Sequence, residues 1–108
     1  MTPARDRKYL NWVASQPCLY CQTTHGVVAH HEGKREAGGG TSLKGCDYHT
    51  LPLCHRCHGE YHQTARIGSW TRELTALRFA RAIARLRQKW ETLGGMFKPA
   101  ERKARKRG

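Results

Sequence analysis

The chain has 108 residues, a formal net charge of +12, five cysteines and seven histidines. This length corresponds to one domain with a modest core, so a metal or another cross-link is expected to stabilise it. The N-terminus lacks the apolar region of a signal peptide, and no run approaches membrane-spanning length. We therefore expect a soluble intracellular protein with no membrane partner. In that compartment paired cysteines predict metal ligands rather than disulfides.

The positive charge is concentrated in the second half of the chain. Residues 1–63 carry seven Lys/Arg against five Asp/Glu, whereas residues 64–108 carry thirteen against three. This imbalance predicts a polyanionic partner, with nucleic acid favoured over an anionic membrane surface. The alternative is a solvated helix face followed by a disordered tail.

Three helices and two strands are predicted, with a turn and a loop between them. Thr2 can cap a first helix and Pro3 can occupy its first position, and the helical spacing of apolar residues continues as far as Pro17. The elements that follow are a tight turn at 18–21, a strand at 27–31, an exposed glycine- and lysine-rich loop at 33–45, a strand at 48–53, a helix from Cys54 to about Arg66 ended by Gly68, and a long helix from about Thr71 to Leu93.

The long helix is amphipathic. Its apolar stripe consists of Phe79, Ile83, Leu86, Trp90 and Leu93, and its opposite side carries Arg78, Arg81, Arg85 and Lys89. The stripe is predicted to pack on the domain's own core, and the alternative is a dimer seam, since the spacing matches heptad positions. Barely two heptads are present, which favours a monomer. Gly94 and Gly95 end the helix, and residues 98–108 carry six Lys/Arg.

Four cysteines form the strongest motif. Cys18 and Cys21 make one C-x-x-C pair, and Cys54 and Cys57 make another. Four thiolates around a tetrahedral Zn²⁺ are a common structural site, so structural zinc is predicted here. The fifth cysteine, Cys46, is either a plain small residue or a competing ligand that would act together with His49.

The histidines predict a second metal site. His58 and His62 are four residues apart in a predicted helix, so their rings share one face. Consecutive strand residues point to opposite faces, so His30 can join those two rings as a third ligand while His31 stays unligated. An ordinary histidine pKa near 6.5 leaves much of the neutral ring at pH 7, as a general base requires. The alternative is that His30 and His31 are both structural.

Taken together, the motifs resemble those of a nuclease family. The segments that carry the resemblance are RKYLNWVASQPCLYC at 7–21, VVAHH at 27–31, GGGTSLKGCD at 38–47 and LPLCHRCHGEYH at 51–62. Their order resembles the HNH branch of the His-Me finger (ββα-metal) nucleases, and most of all the phage recombination-enhancement nucleases of the Ref type. The resemblance covers about half of the chain, and the combination is more specific than any one segment.

The resemblance implies a ββα-metal core with a structural zinc. Together with the helices predicted above, it gives a small α+β fold in which a short helix precedes this core and a long basic amphipathic helix follows it. The predicted domain organisation is a nuclease domain at 1–68 stabilised by structural zinc, the amphipathic helix packed on it at 69–95 and a basic disordered tail at 96–108. It also implies a cytoplasmic location in a bacterial or phage-infected cell.

Residue roles follow from the same resemblance. His31 would activate water, and a catalytic divalent ion would be held by His30, His58 and His62. His49 stands where the family has the asparagine that steadies the loop, which leaves open whether His49 or His62 is the third ligand. An all-histidine site suits Zn²⁺, Ni²⁺ or Mn²⁺ better than Mg²⁺.

The function expected from the sequence is therefore metal-dependent hydrolysis of DNA, with no small-molecule cofactor. Contacts to the phosphate backbone are predicted for Arg78, Arg81, Arg85, Lys89, Lys98, Arg102, Lys103, Arg105, Lys106 and Arg107. Two alternatives remain at this point: a non-catalytic zinc-finger DNA-binding protein, and a partner-binding adaptor that uses the apolar stripe.

Overall fold

The computed structural model describes residues 5–32 and 46–97. Within these ranges the protein is a small α+β fold in the order α1 (Arg7–Ala14), β1 (Val27–His31), β2 (Thr50–Cys54), α2 (His55–Thr64) and α3 (Arg72–Thr92). No helix among these elements is both long enough and apolar enough to cross a membrane. The predicted loop at 33–45, the tail from Lys98 onward and residues 1–4 lie outside the described residues.

The two strands form an antiparallel pair on which the helices pack. The register aligns Val27 with Cys54 and His31 with Thr50. All five residues of β2 are buried, so the helices cover both faces of this strand. Pro52 lacks an N–H donor, but its carbonyl still accepts a hydrogen bond from the Leu19 amide at 2.9 Å. The turn that contains Cys18 and Cys21 is thereby fixed beside β2.

Helix α1 begins later than the sequence predicts. Its N-cap is Asp6, whose carboxylate accepts the Tyr9 amide at 3.2 Å, and not Thr2. Asp6 is held there by tertiary contacts, because the Tyr48 hydroxyl donates to its Oδ2 at 2.6 Å. A local capping signal at Thr2 and Pro3 carries no information about such a long-range partner.

The boundaries of the second strand and its helix also differ from prediction. The strand covers Thr50–Cys54 and not 48–53, because Asp47 and Tyr48 belong to the preceding turn. Helix α2 ends at Thr64, where Ala65 adopts φ +63° and donates its amide to the Tyr61 carbonyl at 2.8 Å. A left-handed alanine takes the place that glycine usually fills, so Gly68 does not end this helix.

Helix α3 matches its predicted bounds. Thr71 is its N-cap and accepts the Leu74 amide at 3.0 Å. Phe79, Ile83 and Leu86 are buried in the core with residues of α1 and both strands, as the docking prediction requires. Leu93 was expected in this stripe, but 62% of it is exposed because the helix ends there, beyond the edge of the core. Phe97 follows and packs edge-on against Tyr48 at 4.9 Å between ring centroids.

Replacing Tyr48 by Phe tests the link between α1 and the turn that precedes β2. The change removes the donor to a buried carboxylate, so the free energy of unfolding should fall by about 1.5–3 kcal/mol. Urea denaturation followed by tryptophan fluorescence measures it. Tyr20→Phe is the matched control, since the Tyr20 hydroxyl meets Ser69 at the exposed surface. An equal loss in both variants would contradict the importance of the buried contact.

Candidate metal and catalytic site

The four predicted cysteines converge. Their Sγ atoms all lie within 4.8 Å of one another, and those of Cys21 and Cys54 are 3.6 Å apart. The turn that follows α1 supplies Cys18 and Cys21, the end of β2 supplies Cys54, and the first turn of α2 supplies Cys57. The cluster therefore joins two distant segments of the chain, at 18–21 and 54–57.

The chemistry of this cluster fits a metal. Sulfur atoms about 2.3 Å from a tetrahedral Zn²⁺ are about 3.8 Å from each other, close to the observed spacing. Burial opposes ionisation of Cys18, but hydrogen bonds with the backbone at Cys21, Cys54 and Tyr20 lower its pKa to about 7. Burial and the neighbouring sulfurs raise the pKa of Cys57. The four cysteines can hold a metal such as zinc, whose charge would favour the thiolate form. Cys46 lies outside this group.

Three histidines form a second cluster. The candidate ligand atoms of His30, His58 and His62 lie within 4.8 Å of one another. The Nε2 atoms of His58 and His62 are 3.2 Å apart, and the His30 ring lies 5.0 Å and 5.7 Å from theirs, centroid to centroid. The third member is thus His62, as the helical spacing predicts, and not His49. Burial increases along the cluster from the exposed His62 to His30, which is 5% exposed.

The surroundings of His58 disfavour its protonation. Burial lowers the pKa of His58, and the neighbouring rings of His30, His62 and His55 lower it further. A neutral imidazole is the form that binds a metal. Partial burial and the neighbouring rings therefore favour the neutral form of His58, which is the form that a divalent cation requires.

His30 has supporting partners that the sequence analysis did not identify. Its Nε2 pairs with Glu32 Oε1 at 2.8 Å, and the Tyr61 hydroxyl donates to Glu32 Oε2 at 2.9 Å. A carboxylate on one ring nitrogen fixes the orientation of a metal-binding histidine and raises its basicity. This contact leaves Nδ1 as the nitrogen of His30 available to a metal. No spacing rule predicts the role of Glu32, although its position two residues along the chain places it on the same side of the strand.

His31 lies on the other side of β1, as strand alternation predicts. Its Nε2 is 3.1 Å from Asp47 Oδ1, and its side chain is 35% exposed. The Asp6 amide donates to Asp47 Oδ2 at 2.6 Å, and Arg5 lies 3.7 Å from Oδ1. His31 is not a member of the histidine cluster. The rings of His30 and His31 therefore have different surroundings, since His30 lies in the histidine cluster and His31 lies beside Asp47.

The remaining predicted site residues are at the surface or outside the described residues. His49 is exposed, and its backbone carbonyl accepts the Glu32 amide at 2.9 Å, while its ring forms no hydrogen bond with any residue in 5–32 or 46–97. Exposed positions on α3 are occupied by Arg78, Arg81, Arg85 and Lys89. The described ranges do not include Lys98, Arg102, Lys103, Arg105, Lys106 and Arg107.

Cys18→Ser should lose one equivalent of tightly bound metal and unfold at lower temperature, since the cluster joins distant segments. Native mass spectrometry measures the metal content, and a thermal scan measures the stability. The matched control is Cys46→Ser, because Cys46 is not part of the four-cysteine group. Retention of all bound metal by Cys18→Ser would contradict the assignment.

Comparison with known proteins places these features in a family but does not identify an activity. In an alignment of 59 residues that covers 51% of the chain, the protein is 40% identical to uncharacterized protein YdfU of Escherichia coli (strain K12). The chain spans about 15% of that relative's length. No solved structure matches the chain. A family model described as protein of unknown function (DUF968) matches residues 2–74, which include the four-cysteine and the three-histidine clusters. The chain therefore belongs to the DUF968 family.

Proposed function

We propose that this protein is a metal-dependent DNA endonuclease of the HNH type. The observation that carries the proposal is the meeting of His30, His58 and His62 at one point, while the adjacent His31 is excluded from that cluster and held by a carboxylate. This division of roles is what phosphodiester hydrolysis needs, because one set of groups binds a cation and a separate group accepts a proton.

The order of the elements supports a ββα-metal core. An antiparallel strand pair is followed at Cys54, without any connecting loop, by the helix that carries His58 and His62. The first strand supplies His30 and His31, so all the proposed reactive groups come from β1 and α2. Rigid elements of this kind position side chains more accurately than loops do.

In the proposed reaction, His31 takes a proton from the attacking water as its oxygen forms a bond to phosphorus. The bond between phosphorus and the departing oxygen breaks, and that oxygen is protonated by solvent. A divalent cation, when bound to the three histidines, would offset negative charge on the phosphoryl group and on the departing oxygen. Glu32 and Tyr61 act indirectly, since they orient His30.

The four-cysteine cluster is proposed to hold a structural zinc. All four cysteines would be ligands, which leaves no open position for substrate. The cluster fixes the start of α2 against β2, so it positions His58 and His62 indirectly.

The exposed cations of α3 are the proposed DNA contacts. Arg81, Arg85 and Lys89 form no ion pair with any described residue. Arg85 and Lys89 line a cleft of about 200 Å³ between α3 and the turn that carries Cys18. Arg78 lies over the Trp70 ring at 5.0 Å, which restricts its direction. Unpaired cations on one helix face suit a phosphate backbone rather than base edges.

The cysteine cluster and the basic face would also suffice for a second function, a non-catalytic zinc-finger DNA-binding protein. That function gives no role to the three-histidine cluster or to the contact between His31 and Asp47. Incubating supercoiled plasmid with the protein and Mn²⁺, Ni²⁺, Zn²⁺ or Mg²⁺ separates the two. Nicking with at least one ion supports the endonuclease, and binding without nicking for all four supports the alternative.

His31→Ala should lower the nicking rate by at least about 100-fold, because a general base contributes on the order of 10²–10⁴ in rate. DNA affinity and metal content should stay unchanged, since the ring lies outside both ligand clusters. A gel assay measures plasmid nicking, fluorescence anisotropy measures DNA affinity, and native mass spectrometry measures metal content. His25→Ala is the control, because His25 is an exposed histidine in the segment before β1. Equal nicking by both variants would reject His31 as the base.

Arg81→Ala combined with Arg85→Ala should weaken DNA binding and make it less sensitive to salt. Each phosphate contact contributes about 0.9 to the slope of log affinity against log salt concentration, so the slope should decrease by about 2. Anisotropy titrations at several salt concentrations measure it. Gln88→Ala is the control on the same helix, since Gln88 is exposed and uncharged. An unchanged slope in the double variant would exclude this face from the DNA contact.

A further inference from the structure

We propose that Asp47 is the positioning residue that fixes the tautomer and orientation of His31. This inference rests on the proposed function for its consequence in catalysis, but the contact itself can be tested without any DNA. Asp47 precedes β2 and lies sixteen residues from His31 along the chain, so the structure and not the spacing identifies the pair.

The first step is the direction of the hydrogen bond. An ionised carboxylate only accepts hydrogen bonds. Both oxygens of Asp47 are used in this way, since Oδ2 accepts the Asp6 amide at 2.6 Å and Oδ1 lies 3.1 Å from His31 Nε2. Nε2 of His31 must then carry the proton. Nδ1 keeps its lone pair and is the nitrogen that can accept a proton from water.

The second step is the rigidity of Asp47. Its side chain is only 5% exposed, and its backbone carbonyl accepts the Thr50 hydroxyl at 2.8 Å. The Asp6 residue that donates to it is fixed in turn, because Asp6 caps α1 and accepts the Tyr48 hydroxyl. The Thr50 contact fixes the backbone of Asp47 and the Asp6 amide fixes its carboxylate, so the carboxylate cannot turn away from His31 without losing the Asp6 hydrogen bond.

The third step concerns the charged groups of residues 5–32 and 46–97 that contact Asp47. Arg5 lies 3.7 Å from the same oxygen that contacts His31, and 52% of its side chain is exposed. It therefore adds a screened attraction and does not displace the imidazole. Asp6 presents its amide to Asp47, while its carboxylate points to Tyr48 and the Tyr9 amide.

The test replaces Asp47 with Asn. An asparagine can place its oxygen on either the Asp6 amide or His31 Nε2, but not on both. The asparagine oxygen should face the buried Asp6 amide. Placing that N–H group against an NH₂ group costs more free energy than changing the hydrogen bond of the partly exposed His31 ring. The NH₂ group would then donate to Nε2, which forces the proton of a neutral His31 onto Nδ1. That tautomer cannot take a proton from water at Nδ1.

The tautomer is measured by ¹⁵N NMR of the His31 ring at about pH 8.5, where an ordinary imidazole is neutral. The wild type should show an Nε2–H form whose proton is protected from exchange. Asp47→Asn should show the Nδ1–H form and should nick plasmid at least about 100-fold more slowly, with unchanged DNA affinity. Tyr48→Phe is the control, because it weakens the same network but leaves both contacts of Asp47, so the tautomer should not change.

An unchanged His31 tautomer in Asp47→Asn would overturn the proposal. If that variant does not fold, the wild-type spectrum decides, since an unprotected Nε2 proton or an Nδ1–H form contradicts the contact. A tautomer switch together with no nicking by the wild type would leave the pairing intact and remove the proposed nuclease activity. Nicking by the wild type with no tautomer switch in Asp47→Asn would support the proposed nuclease activity and reject the pairing of Asp47 with His31.

Discussion

The junction at Cys54 is the constraint on which the rest of the structure depends. This residue ends β2, pairs with Val27 of β1, caps α2 through its sulfur and belongs to the four-cysteine cluster. The direction in which α2 leaves the strand pair is therefore fixed by covalent geometry, by a backbone ladder and by the packing of four sulfurs. The histidines of α2 reach His30 only because that direction is fixed.

The sequence predicts those parts of the site that depend on local periodicity. Alternation along a strand places His30 and His31 on opposite sides, and a spacing of four places His58 and His62 on one helix face. Both expectations hold because short elements obey these periods wherever they pack. The C-x-x-C spacing also predicts the sulfur cluster, since each pair forms a tight local unit.

The supporting residues could not be predicted in this way. Asp47 reaches His31 across sixteen residues, and Asp6 reaches Asp47 across forty-one. Such contacts depend on how separate elements pack, and aspartate in a turn is common without any such role. Long-range contacts also explain why the start of α1 was not predicted, since Asp6 caps this helix in a position that the Tyr48 hydroxyl holds. Leu93 was expected to be buried from periodicity alone, but periodicity does not indicate where the core ends.

The two ligand clusters share one helix, and Cys57 and His58 are consecutive residues in it. If the sulfur cluster holds the proposed zinc, removing that ion would also loosen the helix that carries two of the three imidazoles. Loss of the proposed nicking in a strong chelator would then report on unfolding as much as on chemistry. The two effects can be separated only by exchanging the ion at the more exposed imidazole cluster while the sulfur cluster keeps its own ion.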